Sequence, residues 1–566
     1  MIQHALAPTG RGGARETRVP AYLDSAHLDS SHPETAHLDD AHKGDIIGAF
    51  GAIAEHDTGA RQGWRRRLLT LAAIIGPGLI VMVGDNDAGA FGTYTQAGQN
   101  YGTSLLWTLL LLVPVLYVNQ EMVLRLGAVT GVGHARLIFQ RFGRFWGAFS
   151  VVDLFLLNAL TIVTEFIGIT FGLDYLGVPK VAGVIVAALL IIAVASTGSF
   201  RRFERSMMVL VFGSLLLVPI AVTLHPPMGQ VAHDFFVPGL PAGGKLADVM
   251  LLIIAIVGTT VAPWQLFFQQ SYLVDKRIGP RFMAYSRIDL WVGIAVVIVG
   301  AVAMMAFTAV AFSGTAGFGN FTDAGAVARG IQVHSGRLMG VLFAIALIDA
   351  SVIGASAVSL STAYAIGDTF GIRHSLHRSP KESIAFYLVF AGLIAIAAAL
   401  VLLPGTPLGL LTNAVQSLAG VLLPSATVFL LLLCNDEAVL GPWRNGRWLN
   451  FFTGAVITVL VLLSVILTAS VLFPDLGATA MLWILGGGST LALVGWTALR
   501  FGSRASGETI DRRGRADWRM PPLDALAPAA LARGEKLWLG TLRLYLVVAA
   551  GLVIIRIIHL ALTHRL

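Results

Sequence analysis

Two aspartates interrupt a long apolar segment in the first hundred residues of the chain. Asp85 and Asp87 lie within residues 84–89, a run that begins and ends with glycine. A carboxylate at mid-membrane depth is costly and by default marks a functional site. The glycines let the backbone leave helical geometry, which a membrane tolerates only where the backbone lines a cavity or is buried in protein. We therefore interpret residues 84–89 as part of a binding site.

A second interruption is predicted near residues 259–263. Gly258 weakens the helix there, and Pro263 removes a backbone hydrogen bond and crowds the preceding turn. No histidine or cysteine is near either interruption, so the donors are the Asp87 carboxylate and the carbonyl oxygens of Thr259 and its neighbours. Oxygen ligands suit Mg²⁺, Ca²⁺ or Mn²⁺ better than copper, zinc or iron. With few anionic groups, a bound Mg²⁺ would keep several waters.

The composition requires a membrane around these sites. Hydrophobic residues make up 56% of the 566 residues and charged residues only 13%, with a mean hydropathy of +0.76. A soluble domain carries about 25% charged residues, so a soluble enzyme, a disordered protein and a secreted disulfide scaffold are excluded. The single cysteine, Cys434, allows no internal disulfide and no cysteine-based metal cluster. The net charge of +7 is explained by arginines in cytoplasmic loops, so we expect a lipid bilayer and no nucleic acid as partner.

The hydropathy pattern predicts an all-α polytopic membrane protein. We expect it to lie in the cell (inner) membrane with its amino terminus in the cytoplasm. In this orientation 32 of the 39 Lys and Arg residues fall on the cytoplasmic side, as the positive-inside rule requires. Thirteen spans of about 20 apolar residues are predicted. They are residues 68–97, 103–125, 145–171, 178–199, 206–225, 247–272, 288–312, 337–367, 385–403, 408–433, 449–473, 479–500 and 541–562.

Three regions follow from this pattern. Residues 1–64 form a His/Asp-rich cytoplasmic tail, which we predict to be disordered because its five-residue repeat matches neither the helical nor the strand period. Residues 65–433 form a ten-helix core that contains both interruptions. Residues 434–566 add spans 11–13 and a basic cytoplasmic linker at 501–540. The repeat places histidines at 27, 32, 37 and 42, which could collect metal ions, although a solvated tail is the simpler interpretation.

The two interruptions fall in spans 1 and 6, five spans apart. Such a pair is typical of a LeuT-type five-plus-five inverted repeat, in which broken half-helices present free carbonyls and dipole ends at a midplane site. A proline or glycine kink alone would be common in a membrane helix. The equivalent positions and the carboxylate in one of them favour the transporter interpretation.

At these residues the chain resembles the Nramp family of divalent metal transporters, and most closely its Nramp-related magnesium transporter branch. The resemblance runs from about Gly76 to Leu433. It is carried by GPGL at 76–79, Asp-x-Gly at 87–89, RLGAVTG at 125–131, TEFIG at 164–168 and TTVAPWQ at 259–265.

The resemblance implies a metal site with three departures from the family pattern. The family's Asn ligand is Ala90 here, its Met is Ala262, and its His is Trp264. A thioether favours softer metals, so its loss implies a roomier and harder site that prefers Mg²⁺ and also carries Mn²⁺. The implied site residues are Asp87, Ala90, Thr259, Ala262 and Gln416.

The resemblance also bears on proton coupling. Proton-coupled members have two acids in span 3 at the positions of Ile162 and Glu165, so one acid is absent here and the span-6 histidine is absent as well. We therefore expect import with little or no proton coupling, by alternating access. Further residues that could line the pathway or support the ligands are Asp85, Gly89, Glu165, Trp264 and Asp349.

Three alternatives remain open at this stage. One is a proton-coupled Mn²⁺/Fe²⁺ importer. A second is a sodium-coupled amino-acid transporter, whose substrate carboxylate Asp87 would repel. A third is a membrane metalloenzyme, which would need a ligand set such as HExxH, whereas only His225 touches the first twelve predicted spans. We predict no enzymatic activity and no cofactor, with Mg²⁺ or Mn²⁺ as the transported substrate.

Overall fold

The computed structural model describes residues 39–502, except 242, 406–407 and 474–475, and parts of residues 512–555. The described chain is almost entirely helical. Nine of its helices are long and apolar enough to cross a membrane, and counting each of two bent helix pairs as one further span raises the number to 11. This confirms the predicted all-α polytopic membrane fold. Its described strands are β1 (Ile46–Ile47) and β2 (Ala52–Ile53), which pair antiparallel.

The first predicted span consists of three helices rather than two. These are α1 (Trp64–Ile74), α2 (Pro77–Val83) and α3 (Ala88–Tyr101). The chain bends by 53° between α1 and α2, at Gly76, and breaks again after Val83. Gly76 has φ 151°, and a Cβ there would overlap the Glu204 carboxylate, so only glycine fits.

Two buried charged side chains hold the bend between α1 and α2. Lys276 Nζ donates to the carbonyls of Ile74 and Ile75 at 2.9 and 2.8 Å and pairs with Glu204 at 2.7 Å. Asp289 accepts hydrogen bonds from the backbone N–H groups of Gly76, Gly78 and Leu79. The bend therefore has its free carbonyls and its free N–H groups satisfied by side chains of other helices.

The next helices lead to the second interruption. They are α4 (Trp107–Thr130), α5 (His134–Phe142), α6 (Arg144–Leu176), α7 (Lys180–Ala195), α8 (Phe200–Gly213), α9 (Leu217–Leu224) and α10 (Met228–Phe236). The sixth predicted span is then two helices, α11 (Leu246–Thr260) and α12 (Pro263–Asp275). The break falls at Val261 and Ala262, within the predicted window.

The remaining helices complete the bundle. They are α13 (Met283–Phe312), α14 (Ala324–Ser335), α15 (Arg337–Phe370), α16 (Ile384–Leu402), α17 (Leu408–Asn435), α18 (Glu437–Leu440), α19 (Arg447–Leu472) and α20 (Ala478–Gly502). Helix α13 packs against α2 and α3, and α6 packs along α15. Helices α6 and α15 also both contact α3, so α3 packs against α6, α13 and α15.

The described helices include fewer clear spans than the thirteen predicted. Helix α7 has 16 residues, which is short for a span of about 20. For the thirteenth predicted span, residues 541–562, the described part is a short apolar helix at Leu539–Ala549, and most of the rest lies outside the described residues.

Residues 39–63, here named the amino-terminal segment, are folded onto the bundle. Asp39 accepts hydrogen bonds from the Arg378 guanidinium and from the backbone N–H of His374, and His42 Nε2 lies 3.2 Å from the His374 carbonyl oxygen. The hairpin buries Ile46 and packs on α1. This corrects the disorder predicted for residues 1–64 in the last part of that range, because burial of apolar side chains and specific ion pairs order it. Residues 1–38, with three of the four repeated histidines, lie outside the described chain.

Candidate ion site at the two helix breaks

The breaks in spans 1 and 6 lie against each other. Tyr94 in α3 and Thr260 at the end of α11 share a hydrogen bond of 2.7 Å between their hydroxyls. Gln265, in the first turn of α12, donates from Nε2 to Asp85 Oδ1. The α3 half of span 1 is therefore bonded to α11, and the residue pair after α2 is bonded to α12. A midplane site between the two spans requires such contacts.

Asp87 begins α3 and caps it. Its Oδ1 accepts a hydrogen bond of 2.9 Å from the Ala90 N–H, the usual geometry of an aspartate at a helix amino terminus. Capping explains why an aspartate is stable here, and the N–H groups and dipole of α3 stabilise its charge. The Ala90 methyl group is fully buried beside this cap, at the position where the resemblance places a ligand.

Glu165 brings a second carboxylate to the same place. Its Oε2 accepts from the Ala88 N–H at 3.2 Å, and its carboxyl group adjoins that of Asp87. Gly354 of α15 permits this position, because a Cβ there would lie 2.7 Å from the Glu165 carboxyl carbon. Glu165 Oε1 has no hydrogen-bond partner among the residues that the structure describes.

A cavity of about 40 Å³ borders the Asp87 side of the break. Ala88, Gly89 and Thr164 line it, together with Asp323 at the start of α14. A single water needs about 10–15 Å³ of such volume, so the cavity has room for a few. Gly89 thus lines the cavity, and its role in the pathway stays a prediction.

The second break supplies a carbonyl oxygen. Pro263 has no N–H, so the carbonyl of Thr259 cannot receive the helical bond from four residues on. The Ala262 N–H is used elsewhere, since it donates to Gln265 Oε1 at 3.3 Å. The Thr259 carbonyl therefore lacks the hydrogen bond that an uninterrupted helix would give it. The Trp264 ring is buried and lies against Gly84 at the other break.

Two predicted residues are not placed in this site by the described contacts. Asp349 in α15 packs over Gly213 of α8. Gln416 belongs to α17, but its side chain lies outside the described part of the chain.

The electrostatics of the breaks are unbalanced. The side chains of Asp85, Asp87 and Glu165 are all buried, yet none forms an ion pair with a Lys, Arg or His side chain in the described chain. Buried carboxylates are normally paired or bind cations. No three His, Cys, Asp or Glu side chains of the described residues are close enough together to hold a metal ion. An ion bound here would therefore rely on two carboxylates, backbone carbonyls and water.

Sequence reasoning missed two residues of the site, Gln265 and Gln120. Gln120 Nε2 in α4 donates to Gln265 Oε1 at 3.1 Å. A polar signal was present, because each glutamine is a buried amide within a predicted membrane span. The pairing itself joins residues 145 positions apart and could not be read from spacing.

Comparison with known proteins identifies the family. Residues 78–470 match the family model described as Nramp, natural resistance-associated macrophage protein-like. The chain belongs to the Nramp family. The match confirms the Nramp resemblance drawn from the motifs, and it covers both helix breaks.

Relatives within the Nramp family include two bacterial proteins named divalent metal cation transporter MntH. The one from Pectobacterium carotovorum subsp. carotovorum is 26% identical over 405 residues, which cover 69% of this chain and 92% of that protein. The one from Ralstonia nicotianae is 28% identical over 399 residues, which cover 68% of this chain and 86% of that protein.

Solved structures show the same fold. The crystal structure of the Eremococcus coleocola manganese transporter in complex with an aromatic bis-isothiourea substituted compound superposes with a TM-score of 0.61 at 19% identity, covering 82% of this chain and 98% of that chain. At this identity the likeness concerns the fold. It confirms the predicted inverted-repeat architecture with broken helices 1 and 6.

Proposed function

We propose that this Nramp-family protein is a secondary transporter that imports divalent cations by alternating access. Mg²⁺ is its preferred substrate and Mn²⁺ is also carried. The observation that carries the proposal is the group of buried carboxylates at the junction of two broken helices, with no cationic side chain paired to them among the described residues. A divalent cation is the partner that such a group lacks. The MntH relatives, named as divalent metal cation transporters, support the substrate class.

The proposed ion site combines few direct ligands with retained water. Asp87 and the Thr259 carbonyl supply oxygen donors, while the alanines at positions 90 and 262 leave space where the family places an amide and a thioether. Gln416 is the further proposed ligand. Mg²⁺ dehydrates reluctantly and is usually held by one or two carboxylates with several waters, which suits this donor set.

The membrane potential provides the driving force in this proposal. The protein lies in the inner membrane with its amino terminus in the cytoplasm. Each divalent cation that moves into the cell carries two positive charges. At about 2.3 kcal/mol per charge per 100 mV, a divalent cation gains about 4.6 kcal/mol on entry. Accumulation then needs little or no proton coupling.

One observation favours a second candidate, a proton-coupled Mn²⁺/Fe²⁺ importer. Glu165 adjoins Asp87 and has one carboxylate oxygen without a partner in the described chain, so it is placed to exchange a proton when a metal binds. Vesicles that contain a pH-sensitive dye separate the candidates. Our proposal expects metal uptake without lumenal acidification, and metal-dependent acidification comparable to that of a coupled relative would favour the second candidate.

The decisive test is uptake of Mg²⁺, Mn²⁺ and Ca²⁺ into proteoliposomes by the wild type and Asp87→Ala. Loss of the carboxylate is expected to abolish uptake of each transported ion. Asp153→Ala is the matched control. Asp153 is also an intramembrane carboxylate, but it lies in α6 and is far in sequence from both breaks. Normal transport by Asp87→Ala would refute the proposed site. Transport of Mn²⁺ without Mg²⁺ would refute the magnesium preference.

A further inference from the structure

A chain of buried side chains leads from the break in span 1 to α4. Gln265 donates to Asp85, and Gln120 in turn donates to Gln265. The three residues are at most 1% exposed. The bonds have one direction, since each amide N–H group donates toward Asp85, and Gln265 Oε1 accepts from Gln120.

Two of these oxygens lack partners. Asp85 Oδ2 and Gln120 Oε1 are buried without a hydrogen-bond partner in the part of the chain that the structure describes. A buried carboxylate oxygen left unpartnered costs free energy, so its place in a native structure needs an explanation. A single neutral amide does not compensate the charge of Asp85. The group therefore lacks a positive charge, or a water molecule that is bound to a cation.

Asp85 and Asp87 face different helices. Asp87 lies with α3 and Glu165, beside the cavity that extends to Asp323. Asp85 follows α2 and binds the first turn of α12. The far ends of α12 and α2 lie near Lys276 and the amino-terminal segment, so Asp85 belongs to that half of the molecule.

We propose that Asp85, Gln265 and Gln120 form a second divalent-cation site, which receives the ion from Asp87 and passes it toward the face that binds the amino-terminal segment. The inference rests on the proposed function and deepens it. The donors are one carboxylate and amide oxygens, all of them hard ligands that suit Mg²⁺ or Mn²⁺ with retained waters. Two weak sites in sequence let an ion leave a deep site in small steps, since each site needs only partial dehydration.

The test compares Mn²⁺ binding and Mn²⁺ uptake in the same purified protein. Asp85→Asn keeps the acceptor for Gln265 and removes only the charge. We expect it to bind Mn²⁺ at the Asp87 site with nearly unchanged affinity, measured by calorimetry in detergent. Its maximal uptake rate in proteoliposomes should fall about 10- to 100-fold, the usual effect of losing a group that supports a metal ligand set. Gln99→Leu, a buried amide of α3 bound to the Gly317 carbonyl, is the control and should transport normally.

Rescue separates a role in ion transfer from a structural role. Asp85→Asn combined with Gln265→Glu returns one carboxylate to the same pair, and we expect it to recover most of the lost rate. A wild-type rate for Asp85→Asn would overturn the proposal. So would a loss that the double variant does not reverse, or a loss of binding as large as that of Asp87→Ala, which would indicate one shared site. If Asp85→Asn does not reconstitute, Gln120→Met must slow uptake, and an unchanged rate overturns the proposal. Absence of divalent-ion binding and uptake in the wild type would instead refute the proposed function.

Discussion

Removing one charge should loosen the amino-terminal segment from the bundle. Asp39 is 4% exposed and accepts hydrogen bonds from Arg378 Nη2 at 2.5 Å and Nε at 3.0 Å, and from the His374 N–H at 3.0 Å. Burial alone would raise the pKa of Asp39, but these bonds, with one from the Ala41 N–H, hold that pKa below its usual value. The carboxylate therefore stabilises the docked segment above about pH 4, and the contribution is lost as the pH falls further.

The size of the effect follows from the partners. Hydrogen bonds to a charged group contribute about 1.5–3 kcal/mol, and removing one member of a fully buried ion pair costs about 3–5 kcal/mol. Arg378 is partly exposed, with 21% of its side chain accessible, so its charge is rehydrated when the pair is broken. We therefore expect Asp39→Asn to cost about 2–3 kcal/mol of docking free energy, because Asn can still accept the hydrogen bond from the Ala41 N–H but cannot pair with Arg378.

Hydrogen–deuterium exchange at neutral pH measures this change directly. The amides of residues 39–53 should exchange roughly 30- to 150-fold faster in Asp39→Asn, since 1.4 kcal/mol corresponds to a factor of ten. Asp40→Asn is the matched control, because Asp40 is the adjacent aspartate and is exposed. Equal exchange rates in the two variants would refute the assignment of the docking energy to the Asp39–Arg378 pair.

Two further predictions concern the bend between α1 and α2. Lys276→Met leaves the buried Glu204 carboxylate unpaired and should lower the thermal midpoint by an amount equivalent to about 3–5 kcal/mol. Adding Glu204→Gln should recover part of this loss. No recovery would contradict the pairing. Gly76→Ala should also lower the midpoint, whereas Gly392→Ala in α16, where a Cβ has open space, should not; equal effects in a thermal-shift assay would contradict the strained-backbone argument.

The sequence predicted the breaks because their causes are local. Pro263 removes a hydrogen bond wherever it lies in a helix, and Asp87 with its neighbouring glycines marks a place where an apolar helix cannot continue unchanged. The family motifs then suggested which residues near the breaks hold the ion, and those roles stay predictions. Glu165 can also be proposed from the sequence as a pathway residue, since it is an acid deep in a predicted span, and that role stays a prediction.

The contacts that stabilise the site joined distant residues and were not predictable from spacing. Asp289 satisfies the start of α2 from 211 residues away, and Gln120 meets Gln265 across 145 residues. The prediction of disorder was wrong for the amino-terminal segment, because its composition resembles that of a disordered tail. Its order depends on partners such as Arg378, which lies 339 residues further along the chain.

The Lys276–Glu204 pair has a consequence for the ionic conditions in which such a protein works. Both side chains are completely inaccessible to solvent, so mobile ions cannot approach them. Surface ion pairs weaken as ionic strength rises, because the Debye length shortens, but a sealed pair is screened much less. The angle between α1 and α2 should therefore be independent of salt. In a protein that changes the cation concentration on one side of its membrane, this bend would thus be unaffected by the resulting change in ionic strength.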